Sequence, residues 1–171
     1  MSFKLFRKSP DADAVHGLYL AIVAQSRQPR FYAEWGVPDT VTGRFDMITL
    51  HLALLFRRLR GESGTGGFSQ ALFDLFFRDM DRSLREMGAG DLGVPRKIRS
   101  MSNLFYGLMT SLNEALDRGD LPGVEAVLHR NVYDGESPNA AALAGYLAGE
   151  ARRLAMVPTA DIVAGRLAQA A

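Results

Sequence analysis

The run Val94-Pro95-Arg96-Lys97-Ile98-Arg99-Ser100-Met101-Ser102-Asn103-Leu104-Phe105-Tyr106-Gly107-Leu108-Met109-Thr110-Ser111-Leu112-Asn113-Glu114-Ala115-Leu116 decides how this chain folds. Val94, Ile98, Met101, Phe105, Leu108, Leu112 and Leu116 recur at steps of three and four. That spacing puts them on one face of a helix, whereas a strand needs steps of two. Pro95 falls in the first turn, where a missing amide hydrogen costs little. Asp91, just upstream, has the side chain to cap that turn.

Working outward, the pattern repeats. Upstream, Leu72, Phe73, Phe76, Phe77, Met80, Leu84 and Met87 form a second stripe, with Ser69 as its expected cap. Gly88 stands where a left-handed residue ends a helix. Before that, a helix from Thr40 or Arg44 to Arg60 is apolar on most sides, as a central, mostly buried helix must be. A first helix opens on Asp11 and Asp13, carries Val15, Leu18, Tyr19, Ile22 and Val23, and stops near Arg27 ahead of Pro29. Residues 28–43 read as a polar connection punctuated by Gly and Pro, longer than the roughly 2–8 residues that usually join two helices. Downstream of Gly119-Asp120-Leu121-Pro122, three shorter helices are expected over about 123–132, 138–155 and 159–168. No segment alternates apolar and polar residues. The expected fold class is all-α, a single compact domain of about six or seven helices over residues 11–171, with residues 1–10 as a flexible N-terminus.

Composition narrows the function by exclusion. The 171 residues hold 20 Lys+Arg against 19 Asp+Glu, a net charge of +1, which disfavours a dedicated nucleic-acid binder. The absence of cysteine excludes a disulfide scaffold, a thiol nucleophile, an iron–sulfur site and a Cys-rich zinc site. Met1 to Lys8 is basic with no apolar run behind it, unlike a secretory signal, and no stretch approaches the roughly 18–20 apolar residues of a membrane span. A cytoplasmic protein is expected.

Catalytic motifs are missing. The chain has no Gly-x-Ser-x-Gly, His-Glu-x-x-His or dinucleotide-binding glycine pattern, and the glycines of residues 61–67 neither follow a strand nor precede Gly-Lys-Ser/Thr. His16, His51 and His129 lack metal-ligand spacing; His51, on the most buried helix, reads as a satisfied interhelix hydrogen bonder. Asp79 and Asp81 sit two apart on a helix and so point away from each other, which reads as a salt-bridged face rather than part of a metal site with Asp74 or His51. The expectation is no enzyme, no metal and no cofactor. What stands out instead is a pair of turns that combine glycines, a proline and an Asp cap: Gly36 to Phe45, and Leu84 to Lys97.

Those turns carry a resemblance. Tyr19 to Tyr32, Gly36 to Phe45 continuing to His51, Phe77 to Gly88 continuing to Lys97, and Phe105-Tyr106-Gly107 together resemble the ubiquinol–cytochrome c chaperone family, the assembly factors of respiratory complex III. The similarity covers about residues 15–155, and Leu84-Arg-Glu-Met-Gly-Ala-Gly-Asp-Leu92 is its most specific run. Leu108 departs from the pattern, which has Arg after Phe-Tyr-Gly.

The resemblance implies an all-α chaperone that binds newly made cytochrome b and assists assembly of complex III. In mitochondria the family works with a small partner protein near the ribosomal tunnel exit. With no transit peptide and no membrane segment, the chain looks like a bacterial member, expected to be peripheral at the inner face of the inner membrane. The motifs themselves do not imply the ribosome or small-partner contact, which stand as further candidate partners, and no specific nucleic acid is expected. A rival reading is a membrane or ribosome adaptor that does not hold the client, and a remoter one is a helical metal-dependent hydrolase using Asp79, Asp81 and His51. On this basis Phe31, Tyr32, Phe105 and Tyr106 are expected to line a client groove, adaptable aromatic and Met side chains suiting a variable apolar partner. Pro38, Asp39, Thr40, Arg44 and Asp91 complete the expected binding surface as shaped turns, with Asp39–Arg44 and Asp91–Arg96 as candidate buried pairs. Arg96, Lys97 and Arg99 open a helix, where basic residues oppose the dipole, so they are expected to meet anionic lipid, ribosome or an acidic loop.

Overall fold

A computed structural model describes residues 10–88, 90 and 93–167. The expected flexible N-terminus, apart from Pro10, and Asp91 lie outside the described residues. The helices are α1 Ala12–Ser26, α2 Pro29–Ala33, α3 Val41–Leu59, α4 Gly66–Glu86, α5 Val94–Asp117, α6 Leu121–Asn131, α7 Ala140–Ala155 and α8 Thr159–Val163. Six of them have 11 residues or more, while α2 and α8 have five each, and no strand occurs among the described residues. The all-α expectation holds.

Helix α3 organises the bundle. Twelve of its 19 residues are buried, and it packs against α1, α5 and α7. One face, with Met47, Leu50, Ala53 and Leu54, joins Phe31, Leu108, Leu112, Val124, Leu128, Leu143 and Leu147. Another, with Phe45, Ile48, Leu52, Leu55 and Leu59, joins Leu18, Ile22, Leu72, Phe76 and Phe105. Burial on two faces explains why α3 shows no clean polar side in the sequence. The stripe of α5 divides between these clusters, Phe105 in one and Leu108 and Leu112 in the other.

Local chemistry sets the helix ends, and in four places it departs from expectation. Thr40 Oγ1, rather than the Asp39 expected to cap this turn, accepts from Gly43 N–H at 3.1 Å and starts α3, since Asp39 takes its bond from Arg44. Asp11 and Asp120 cap α1 and α6. Ser69 does not cap α4. That helix starts at Gly66, and the Thr65 hydroxyl before it donates to the carbonyls of Leu59 and Glu62, closing the preceding turn instead. Residues 28–43 are not all connection, because Pro29 opens the short helix α2 with its preset φ. Finally, α8 stops at Val163 rather than 168. Gly165 there takes φ +77° and passes so close to α1 that an added Cβ would lie 2.8 Å from the Ala14 carbonyl oxygen. Gly88 takes φ +83°, as the end of α4 requires.

Candidate functional site

The anticipated site residues fall into three separate places. The first lies around α2 and the start of α3, where Tyr32, Asp39 and Arg44 line a cleft of about 550 Å³ with Arg27, Pro29 and Ala33. Arg44 Nε donates to Asp39 Oδ1 at 2.7 Å, and this hydrogen bond holds the Asp39 carboxyl below its ordinary range. The pair is not buried as anticipated: the two side chains are 52% and 59% exposed, because both lie on the solvent side of the turn. Thr40 serves as the α3 cap, and the Pro38 carbonyl presses against Gly43, where a Cβ would sit 1.9 Å from its oxygen. These two residues shape the turn.

The expected single groove of Phe31, Tyr32, Phe105 and Tyr106 does not form. Phe31 is fully buried in one core cluster and Phe105 is buried in the other, on different faces of α3. Phe31 packs between Trp35, His51 and Tyr146, with ring centroids 5.5, 5.7 and 5.0 Å away. Tyr32, its neighbour, turns outward and donates its hydroxyl to the Ser26 carbonyl at 2.8 Å.

The second place is a cleft of about 630 Å³ between the end of α3, the start of α4 and the middle of α5. Phe56, Phe73, Phe105 and Met109 give it an aromatic floor, with Arg57, Arg60, Glu62, Glu114 and Asp117 among its rim. Tyr106 stands beside Phe73 with centroids 5.7 Å apart and is half exposed, and Leu104 on the same helix is 60% exposed. Phe105 thus supplies floor while Tyr106 supplies the accessible edge.

Arg96, Lys97 and Arg99 form the third place, all exposed on the first turns of α5 and in no ion pair among the described residues. Asp91, which would have paired with Arg96, lies outside the described residues.

The residues of the hydrolase alternative do not converge. Asp79 accepts from the Tyr19 hydroxyl at 2.8 Å and pairs with Arg82, while Asp81 pairs with Arg85 at 2.7 Å. Among the described residues no three His, Cys, Asp or Glu side chains are placed to hold a metal. His51 is a satisfied core residue, as read: its Nδ1 meets the Met47 carbonyl at 2.7 Å and its Nε2 the Tyr146 hydroxyl at 2.8 Å. Burial pushes its pKa down, so the neutral imidazole is favoured.

One constellation had no counterpart in the sequence reading. The Arg30 guanidinium carbon stands 5.3, 5.4 and 5.0 Å from the ring centroids of Phe31, Trp35 and Tyr146. Gln25 joins it by donating to the Tyr146 hydroxyl at 2.9 Å. Close by, Glu150 is buried and accepts two bonds from Arg153, at 2.8 and 2.6 Å. The one signal available beforehand was the density of aromatic and basic residues in Arg30-Phe31-Tyr32 and Trp35.

Together, these features define an all-α domain with apolar-floored surface clefts and an interior in which Arg30 Nε, Thr49 Oγ1 and Asn113 Oδ1 are the buried polar side-chain atoms without a hydrogen-bond partner among the described residues. A family model described as Ubiquinol-cytochrome C chaperone matches residues 33–170, and the chain belongs to that family of complex III assembly factors. It is similar to ubiquinol-cytochrome c reductase complex assembly factor 1 of Mus musculus, with 23% identity over 118 residues, 68% of this chain and 40% of that protein. The Xenopus laevis counterpart is 22% identical over 118 residues, 58% of its length. The chain thus spans about half the length of these curated relatives. Among solved structures, the crystal structure of the Cbp3 homolog from Brucella abortus superposes with a TM-score of 0.85 at 37% identity, covering 93% of this chain and 90% of that one. Among the described residues no helix is long and apolar enough to cross a membrane.

Proposed function

We propose that this chain is a non-enzymatic chaperone that holds newly made cytochrome b while ubiquinol–cytochrome c reductase assembles, working in the cytoplasm at the inner face of a bacterial inner membrane. The observation that carries the reading, beside family membership, is the aromatic-floored cleft of Phe56, Phe73, Phe105 and Met109 with Tyr106 at its edge. Such a recess covers apolar helix surface of a client without enclosing it, and its charged rim keeps the empty site compatible with water. Arg96, Lys97 and Arg99 favour a second contact, with anionic lipid or the ribosome, and a small partner protein belongs to the same proposal.

Photocrosslinkers at Tyr106 and Thr110, against a control at exposed His16 on α1, test the cleft. Capture of nascent cytochrome b at the first two positions and not at the third is expected; equal or absent capture removes the cleft from the function. Retention of cytochrome b after ribosomes are stripped separates a chaperone from an adaptor, which would lose it. Deletion of the gene should lower the b-type haem signal in difference spectra.

A further inference from the structure

Arg30 is a cation held in place with no ion-pair partner among the described residues. It sits on α2, half-buried, its guanidinium resting on the tripod of Phe31, Trp35 and Tyr146, whose own centroids are 5.0–5.8 Å apart. Its Nε is buried without a hydrogen-bond acceptor, and it forms no ion pair among the described residues. Nearby acceptors are already engaged. The Tyr146 hydroxyl takes part with Gln25 and His51, the Trp35 carbonyl accepts from the Tyr133 hydroxyl at 2.8 Å, and the Glu150 carboxylate is held by Arg153. Glu34, four residues on, is exposed and out of ion-pair reach. Aromatic faces fix and partly desolvate a guanidinium, which strengthens any charge-assisted bond made at its free edge.

We propose that Arg30 is an interaction residue: its outer edge receives an Asp or Glu carboxylate from a partner protein, while an apolar side chain next to that carboxylate covers the remaining exposed part of the partly buried Trp35 ring. A planar fork stacked on rings matches a planar carboxylate. A polyanion such as membrane or RNA would need several free cations in a row, yet Arg153 is already paired and Glu34, the residue that caps the end of the same short helix, adds a negative charge. The inference does not depend on the partner being cytochrome b.

Trp35 is the one tryptophan of the chain, so its emission reports the site directly. The full chain, nitrogen-15 labelled, is titrated at constant ionic strength with 3-phenylpropionate, with its uncharged analogue 3-phenylpropanol, and with inorganic phosphate. Phenylpropionate should change Trp35 emission and shift the Arg30 Nε–H signal saturably in the millimolar range, about tenfold more tightly than the alcohol. Arg30→Gln should lose about tenfold in affinity and Arg30→Lys, which keeps the charge but not the fork, should fall between. Equal affinity for the alcohol, tighter saturation by phosphate, or wild-type affinity in a folded Arg30→Gln overturns the proposal. If Arg30→Gln fails to fold, the three wild-type titrations and Arg30→Lys still decide it.

Discussion

Tyr146→Phe removes one oxygen from the middle of a directional chain of hydrogen bonds. The Met47 carbonyl can only accept, so the 2.7 Å contact assigns the His51 proton to Nδ1. Nε2 is then an acceptor, and the Tyr146 hydroxyl donates to it across 2.8 Å while receiving from Gln25 Nε2 at 2.9 Å. Gln25 in turn accepts from Gln28 at 2.7 Å. The substitution keeps the ring, and with it the contacts to Phe31, Trp35 and Arg30. What it leaves behind is the Nε2 lone pair of a histidine only 5% exposed. An orphaned buried acceptor costs ~1–3 kcal/mol, and the Gln25 amide, half-buried, recovers most of its loss from water.

The expected loss is therefore ~2 kcal/mol, or roughly 4–8 °C in Tm for a chain of this length. Urea unfolding followed by Trp35 emission at pH 7.5 measures it. In a His51→Phe background no lone pair is stranded, so Tyr146→Phe should cost less by ~1–2 kcal/mol. Additivity within ~0.5 kcal/mol would refute the network argument. A pH series checks the same histidine. Its folded pKa is depressed by burial, so the unfolded chain binds the proton more readily. The stability His51 contributes is complete above 6.5 and is lost as pH falls through the folded value, a slope that His51→Phe should flatten.

Three further outcomes follow from the same structure. Burial raises the Asp46 carboxyl from 3.8 to about 7, so the native state holds the proton more tightly and stability is lost as pH rises through that window. Asp46→Asn should gain on wild type between those values, by at most ~4 kcal/mol, and a pH-independent difference would exclude the mechanism. Gly43→Ala places a Cβ 1.9 Å from the Pro38 carbonyl oxygen and strains the Thr40 cap, for an expected loss of ~2–4 kcal/mol by thermal unfolding. Arg58 donates to the carbonyls of Leu154 and Val157 and to Thr159 Oγ1, at 3.1, 2.9 and 3.0 Å. Arg58→Ala should cost ~2–3 kcal/mol and speed hydrogen exchange selectively over α8.

How much of this could be read from the chain depended on the range over which each feature is encoded. The α5 stripe and the left-handed Gly88 are local, and both were legible, whereas the cap of α3 falls on Thr40, one residue past the Asp39 that the turn suggested. His51 was legible too, because a histidine on a helix buried on two faces has to find partners inside. Phe31 misled because an aromatic in a Gly- and Pro-rich connection looks exposed; Pro29 instead starts α2 and turns the ring inward against Tyr146, 115 residues away. No periodicity encodes that contact. Phe105 and Tyr106 teach the opposite lesson. Adjacent helical positions diverge by about 100°, so the residue inside the stripe had to be floor and its neighbour edge.

The cleft's dimensions bear on what kind of holding it can do. Fully burying a large apolar side chain contributes ~1.5–3 kcal/mol, and the surface offered here amounts to Tyr106 with the exposed parts of Phe56, Phe73 and Met109. Association itself costs at least ~4 kcal/mol in lost freedom, before any side chain is ordered. Tyr106 is half exposed and the other three are mostly buried already, so the balance is close to zero and the cleft alone makes a contact far weaker than micromolar, one that forms and breaks quickly. On the proposed function the client has to be given up, and a partly open aromatic cleft would release a helix as soon as a larger apolar surface, such as a neighbouring subunit, competed for it. Tight retention would need more sites engaged at once, which is where the separate Arg30 edge and the basic first turns of α5 bear on affinity. Linking weak contacts multiplies their strength only while all are satisfied. Under that reading, loss of one, for instance when the carboxylate proposed for Arg30 finds another partner, would return the whole to rapid release.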